Sequence, residues 1–323
     1  MLSRRALITS TTAVLTGSGF PRTGRAAAFP ERPVRVFVTT APGGTSDIVS
    51  RLTSNEASER LGRPFIVENR PGGGGIVATM TAKNEPADGY TLLAVSRAQV
   101  LFNVFYNNLD FDFTRDFEPV ARLASGGLVL LVHPSVPAKT LSEFVAWAKA
   151  DPGKLNYGTP GKGTDPHLTA ELFKMQTGIK MTHIAYRGGA AALTDLLSGN
   201  INVFFSNLPV AEYIAAGKLR ALGVTTARRQ SAYPDLPAIA DVVPNFDVDT
   251  WHAFVARQNS PAEAIDILNQ AYAASLADPK VIAGLAPLGL VPAPMTPAAL
   301  GAFFTAEAVK WSAVVKAQNI KLD

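Results

Sequence analysis

The chain has 323 residues, of which 47% are hydrophobic and 17% are charged, and it contains no cysteine. This composition is typical of a globular protein and excludes disorder, disulfides, thiolate metal sites and a catalytic cysteine. At roughly 150 residues per domain, the length favours two domains. Four of the 30 basic residues lie in residues 1–28, which contain no acidic residue, so the other 26 balance 26 acidic residues. That balance argues against nucleic acid or an anionic membrane surface as a partner.

The first 28 residues have the features of an export signal. Arg4–Arg5 precede a weakly apolar stretch, Ala6–Gly19, and Ala26–Ala28 supply the small side chains that a signal peptidase needs. We therefore expect cleavage before Phe29 and a mature periplasmic protein. Ser3–Ile8 also resembles a twin-arginine signal. No later run reaches the ~18 uninterrupted apolar residues of a membrane helix.

After the signal, short β-rich runs alternate with amphipathic helices, which is typical of an α/β fold with a largely parallel sheet. A first series extends from the strand Val34–Val38 to the strand Thr91–Val95. A second series, residues 128–225, is followed by one more strand at Thr250–Ala256 and then by helices only. The second series therefore lies inside the first, and we expect the tail helices to pack on the first.

This order predicts two α/β lobes. The first lobe would combine residues 29–126 with residues 253–323, and the second would comprise residues 127–252. Two crossovers, near Ala124–Leu128 and near Thr250–Phe254, would join them. Two lobes with a hinge form a cleft, and clefts between domains are common ligand sites.

Two glycine-rich turns, one in each predicted lobe, follow a strand and open a helix. The first spans Pro42–Asp47 and the second spans Gly158–Thr164. Such a turn presents free backbone N–H groups and the positive end of a helix dipole, so it binds carboxylate or phosphate without a charged side chain. The alternative is that the glycines only form the turns. Two turns on facing lobes favour an anion site, with Lys162, the only cation in them, pointing to solvent.

Sequence motifs for other chemistry are incomplete. Gly73–Ala78 matches the dinucleotide pattern in its letters, but it does not directly follow a strand, and no acidic residue lies about 20 positions later. Gly163 occupies a position where a phosphate-binding loop needs Ser or Thr. The chain lacks the Gly-x-Ser-x-Gly turn of hydrolases, and its four histidines lack metal-ligand spacing. We therefore predict no catalytic centre, cofactor or metal.

Some single residues have two possible roles. His167, near the second turn, could cap a helix or contact a ligand. Tyr186 and Arg187 end a strand and could face the cleft or the surface. Trp251 at the second crossover is expected to pack, and Asp47 is expected to cap backbone groups of the first turn.

Seven blocks of the sequence resemble the substrate-binding proteins of tripartite tricarboxylate transporters, the Bug-type receptors. They occur in the family's order and cover nearly the whole mature chain: Val38–Asp47, Glu68–Gly72, Pro86–Leu93, Gly158–Leu168, Tyr186–Gly188, Leu193–Gly199 and Ala216–Leu222. The resemblance implies a type II periplasmic-binding-protein fold, in which two α/β lobes close on a small organic carboxylate. It also implies that the receptor hands this ligand to a membrane permease and does no chemistry.

In the family, the two glycine turns hold a ligand carboxylate through backbone N–H groups and ordered water. Two departures bear on the ligand. Thr39–Ala41 stands where the family usually has Pro-Phe-Pro, so hydroxyls replace an aromatic wall. Ser206 stands where an acid is common, which weakens the case for an amino-acid ligand. The predicted ligand-binding residues are Thr40, Gly43, Gly44, Thr45, Ser46, Ser96, Gly161, Gly163, Thr164, His167, Ser206 and Asn207.

The sequence thus predicts a monomeric periplasmic solute-binding protein for a small carboxylate, with a tripartite tricarboxylate permease as its partner. Two alternatives stay open at this stage. The first is an α/β enzyme, a hydrolase or transferase, although no nucleophile–base arrangement is visible. The second is a sensor with the same receptor fold that reports the ligand to a signalling partner.

Overall fold

The computed structural model describes residues 29–106, 109–150, 153–230 and 233–320. The predicted export signal, including its cleavage site after Ala28, lies outside the described residues. The described parts form two sheets of six and five strands, each flanked by helices. This arrangement confirms the predicted two-lobed α/β fold. The expectation of largely parallel pairing was wrong, because five of the nine strand pairs in the described residues are antiparallel.

The described residues contain eleven strands, most of them at the positions that the sequence predicts. In chain order they are β1 (Val34–Val38), β2 (Phe65–Asn69), β3 (Thr91–Val95), β4 (Phe117–Gly126), β5 (Val129–Val132), β6 (Asn156–Thr159), β7 (Thr182–Ala185), β8 (Val203–Ser206), β9 (Arg220–Val224), β10 (Thr250–Arg257) and β11 (Leu290–Pro292). The first sheet has the order β11-β4-β10-β3-β1-β2, and the second has the order β7-β6-β8-β5-β9.

Twelve α-helices connect these strands within the described residues. They are α1 (Thr45–Leu61), α2 (Ile76–Lys83), α3 (Arg97–Val100), α4 (Phe102–Phe105), α5 (Phe113–Asp116), α6 (Leu141–Ala150), α7 (Asp165–Thr177), α8 (Gly189–Leu197), α9 (Ala211–Ala215), α10 (Ala262–Leu276), α11 (Pro279–Leu285) and α12 (Pro297–Ala317). α1 and α7 end at Gly62 and Gly178. Both glycines adopt the left-handed backbone conformation that ends helices, with φ of 64° and 74°.

Parallel pairing brings the carboxyl ends of several strands to one edge of each sheet. β1 pairs in parallel with β2 and β3, and β6 pairs in parallel with β7 and β8. β10 lies antiparallel between β3 and β4, so its amino end lies at the edge where β1 and β3 end. The turns that follow β1, β3 and β6, together with the start of β10, therefore meet between the lobes.

Both predicted crossovers are present. The chain leaves the first sheet after Gly126 and enters the second at Val129, and it returns from Val224 to Thr250. Thr250 is the ladder partner of Gly126, so the two connections lie side by side. The predicted lobe boundary between residues 252 and 253 falls inside β10. The exact limits of the lobes stay a proposal.

The C-terminal part departs from the prediction. We expected helices only, packed on the first lobe, but Leu290–Pro292 adds an edge strand beside β4. The last helix, α12, also contacts both cores. Leu300 and Phe304 join a cluster on the first sheet, whereas Trp311 and Val315 join the main cluster of the second lobe. α12 is long and apolar enough to cross a membrane, but these side chains form part of the protein core.

Trp311 should be a principal contributor to stability. It is fully buried, and its ring lies under the guanidinium of Arg97, whose carbon is 4.2 Å from the ring centroid. Trp311→Ala should lower the free energy of unfolding by about 3–5 kcal/mol because it leaves a large cavity. The control is Val309→Ala on the same helix, where the side chain is 72% exposed. Urea unfolding should show that this control loses less than about 0.5 kcal/mol of unfolding free energy. Equal losses of unfolding free energy in Trp311→Ala and Val309→Ala would contradict the bridging role of α12.

Candidate functional site

A cavity of about 310 Å³ lies between the two lobes. The first lobe contributes the turn after β1, and the second contributes the turn after β6, the start of α8 and the residues after β8. Thr250 and His252 line it at the second crossover. A second compartment of about 650 Å³ opens beside it and shares part of its wall, namely Thr39, Thr40, Ala41, Ser96, Pro160, Thr164 and Arg187.

Three helices direct their amino ends at the smaller cavity. Gly44 precedes α1, Thr164 precedes α7 and Gly188 precedes α8, and all three residues line the wall. The first N–H groups of a helix lack partners within the helix, and the helix dipole places partial positive charge there. The cavity is therefore suited to an anion. The first two of these helix ends were predicted from the sequence, and the third was not.

The lobes contact each other across the cavity. The Thr45 hydroxyl donates a hydrogen bond of 2.7 Å to Oδ1 of Asn207 in the opposite lobe. A Cβ built on Gly188 would lie 3.8 Å from Cβ of Ala41. A ligand in the smaller cavity would thus touch both lobes at once.

Most of the predicted ligand-binding residues come together at this site. Eight line the smaller cavity: Thr40, Gly44, Thr45, Ser46, Ser96, Thr164, Ser206 and Asn207. Gly161 lines the second compartment. Gly43, Gly163 and His167 line neither compartment.

Gly43 and Gly163 use their backbone N–H groups inside their own turns. The Gly43 N–H donates to Oδ2 of Asp47 at 2.9 Å, and the Gly163 N–H donates to Nδ1 of His167 at 3.0 Å. Both glycines have positive φ, 78° and 75°, which the turns require. Asp47 also accepts from Asn69, so its carboxylate organises the first turn as expected. The free N–H groups for a ligand must therefore come from the neighbouring residues.

His167 belongs to a buried aromatic stack beneath the second turn. Its ring lies 4.2 Å from that of His183, which in turn lies 5.0 Å from the ring of Tyr157. Because Nδ1 of His167 accepts from Gly163, its proton is on Nε2. Burial lowers the pKa of His167 to about 3 and that of His183 to about 4, so both rings are neutral near pH 7. The stack supports the turn from below.

Three further residues at the site were not among the predicted ligand-binding residues, and one of them, Arg187, was given two possible roles. Arg187 is an exposed cation that lines both compartments. Asp165 also lines the smaller cavity, but its buried carboxylate is paired with Arg97 from the first lobe. Burial raises the pKa of Asp165 to about 6, although Arg97 acts in the opposite direction. His252 lines the cavity from β10. The positions of Asp165 and His252 depend on long-range contacts. Only Arg187 could be recognised from the neighbouring sequence, because it follows a predicted strand end.

Comparison with known proteins agrees with this geometry. The sequence profile of the tripartite tricarboxylate transporter family receptors matches residues 49–320. Protein BugT of Bordetella pertussis is 31% identical over 301 residues, which cover 92% of each chain. The structure of Rpa4515 from R. palustris with adipate has a TM-score of 0.86 at 32% identity, covering 91% of this chain and 99% of that one. The structure of MatC from Rhodopseudomonas palustris with bound malate has a TM-score of 0.81 at 28% identity, covering 89% and 100%.

The fold and the interlobe cavity define a solute-binding receptor of the periplasmic-binding-protein type. The chain belongs to the tripartite tricarboxylate transporter family receptors. Its relatives bind substrates and are not enzymes, which excludes the hydrolase and transferase alternative.

The neutral His167 should make stability depend on pH. Its folded pKa of about 3 lies below the ordinary value of 6.5, so the unfolded chain takes up a proton that the folded chain does not. Stability is therefore full above pH 6.5 and falls as the pH drops below it. Between pH 8 and pH 5 this histidine should account for about 1–2 kcal/mol of the loss.

Urea unfolding of wild type and His167→Asn at both pH values tests this effect. Asn offers an oxygen in place of Nδ1 to accept from Gly163. Any packing defect lowers the stability of the variant equally at both pH values. The difference in the free energy of unfolding between the two pH values therefore reports only the protonation of this histidine. An unchanged pH dependence in the variant would contradict a buried neutral His167.

Proposed function

We propose that this chain is a periplasmic solute-binding protein that captures a small organic carboxylate between its lobes and delivers it, as a monomer, to a tripartite tricarboxylate permease. The observation that carries the proposal is the convergence of three helix amino ends on one interlobe cavity. The relatives with adipate and with malate support a carboxylate ligand. The export signal predicted in residues 1–28 supports the location.

The carboxylate would sit where the two glycine turns face each other. On the first lobe, Gly44–Ser46 offer backbone N–H groups and the Ser46 hydroxyl at the start of α1, since the Thr45 hydroxyl donates to Asn207. On the second lobe, Thr164 and Gly189 offer backbone N–H groups at the starts of α7 and α8. Hydrogen bonds from N–H groups to a carboxylate are charge-assisted and about twice as strong as neutral ones. A cavity of about 310 Å³ suits a ligand with a short carbon skeleton.

Isothermal titration calorimetry against a panel of mono-, di- and tricarboxylates tests the proposal directly. We expect at least one carboxylate to bind and amino acids to bind more weakly, because Ser206 offers no negative charge to an ammonium group. A ligand at 100 times its Kd should stabilise the protein by about 2.7 kcal/mol, which a melting curve detects. Small-angle scattering should show a smaller radius of gyration with the ligand. No binding by any carboxylate would refute the proposal.

The two glycines at the start of α1 give a matched pair of variants. Gly44 lines the cavity with φ of −78°, so the backbone allows a side chain there, and its Cβ would lie on the cavity wall, 3.5 Å from the Thr40 hydroxyl oxygen. Gly44→Val should therefore weaken carboxylate binding at least tenfold in a folded protein. Gly43 lies outside the wall with φ of 78°, so Gly43→Ala should cost about 1–2 kcal/mol of stability and affect binding less. The reverse order of binding losses would place the ligand elsewhere.

Variants of Arg187 and Lys162 distinguish which of the two compartments holds the carboxylate. Arg187 lines both, whereas Lys162 lines only the second. Arg187→Gln should weaken carboxylate binding about tenfold, as expected when one partner of a charge-assisted hydrogen bond is removed. Lys162→Gln should change the affinity less than about threefold, as expected for an exposed charge. Calorimetry at low and high salt measures the carboxylate affinity of both variants. A larger loss of affinity in Lys162→Gln than in Arg187→Gln would indicate that the anion binds in the second compartment.

A further inference from the structure

Two side chains on the wall of the smaller cavity have hydrogen-bonding groups that nothing in the described residues satisfies. They are Thr40, with its hydroxyl oxygen, and His252, with both ring nitrogens. In the described residues, seven side chains carry a buried nitrogen or oxygen atom without a hydrogen-bond partner, and these two are the ones that line the smaller cavity. Buried polar atoms normally have partners, so a ligand is the natural source of the missing ones.

The topology brings these two residues to the same edge of the first sheet. Thr40 follows β1, and a Cβ built on Gly44 would lie 3.5 Å from its hydroxyl oxygen. The hydroxyl is therefore next to the start of α1, where the carboxylate would bind. His252 lies on β10, one residue before Ala253, whose ladder partner is Val95 at the end of β3. β3 lies between β10 and β1, so both residues line the cavity from the first lobe, on strands that are separated by one strand.

The imidazole of His252 is uncharged at neutral pH. Its side chain is 8% exposed, and burial lowers its pKa to about 4. A neutral imidazole has one N–H donor and one nitrogen acceptor, and a threonine hydroxyl likewise donates and accepts. A carboxylate can only accept. An alcohol on the ligand both donates and accepts, so it matches this pair of groups better than a second carboxylate does.

We propose that His252, on the same cavity wall as Thr40, is a specificity-determining residue that recognises a hydroxyl group on the carbon skeleton of the bound carboxylate. This inference rests on the proposed function and deepens it. A hydroxylated acid offers these groups a partner, whereas the acid without the hydroxyl leaves them unpaired in the cavity. A site that hydrogen-bonds a substrate hydroxyl discriminates strongly against the analogue that lacks it.

Pairs of acids that differ by one hydroxyl test this inference. Calorimetry at pH 7.5 would compare malate with succinate, 3-hydroxybutyrate with butyrate, and 4-hydroxybenzoate with benzoate. In wild type we expect the hydroxylated acid of at least one pair to bind tenfold tighter or more. His252→Phe keeps a ring but removes both nitrogens. It should reduce that ratio to within twofold and leave the affinity for the plain acid within threefold.

The near-isosteric Thr40→Val should also lower the ratio of affinities for the hydroxylated and the plain acid. This variant replaces His252→Phe in the comparison if His252→Phe does not fold. The control is His133→Phe, because His133 lines neither compartment and bonds to Ser135. It should keep the wild-type ratio. A preference that is absent in wild type, or that survives in both His252→Phe and Thr40→Val, would overturn this inference while carboxylate binding stands. Failure of every acid to bind would instead refute the proposed function itself.

Discussion

The relative placement of the two lobes depends on one buried arginine. Arg97 follows β3 in the first lobe and is 1% exposed. Its guanidinium donates to the carboxylate of Asp165 in the second lobe, to Oε2 of Glu307 on α12 at 2.9 Å, and to the backbone carbonyl of Asp249 before β10. An uncompensated buried charge is strongly destabilising. Only an arrangement that brings both lobes, α12 and the second crossover together satisfies this guanidinium.

That constraint fixes how the binding turns face each other. Ser96, which precedes Arg97, and Thr164, which precedes Asp165, both line the cavity. Asp165 itself lines the cavity, and Arg97 is one residue away from its wall. In the proposed site the anion-binding groups are mainly backbone N–H groups at helix ends, so the wall side chains can vary without loss of that site. Relatives at about 30% identity keep the same frame, with TM-scores of 0.81 to 0.86.

The sequence predicts the fold well where local patterns suffice. β1 and β3 lie at the predicted residues, because each is a short, mostly apolar run, with four apolar residues of five. β4 was not predicted, because Pro119 and two charged residues interrupt its apolar pattern. β11 was not predicted either, because a strand of three residues is too short to show a periodic pattern. The short helices from residue 97 to residue 116 have four residues each, too few for a helical period.

The same distinction applies to the site. Residues within the two glycine turns could be identified because a turn is contiguous in sequence. His252 and Asp165 reach the cavity through strand pairing and an ion pair with residues more than 60 positions away. The use of the Gly163 N–H by His167 likewise depends on the start of α7, which no glycine pattern reveals.

The adjacent crossovers have a consequence for the thermodynamics of capture. Since Thr250 and Gly126 are ladder partners and the Thr250 hydroxyl also donates to the Gly126 carbonyl at 2.9 Å, the two connections are tied to each other. Connections tied in this way restrict any hinge motion between lobes to essentially one axis. A hinge with one degree of freedom has little orientational entropy to lose on closure. More of the energy of each ligand contact therefore remains as affinity.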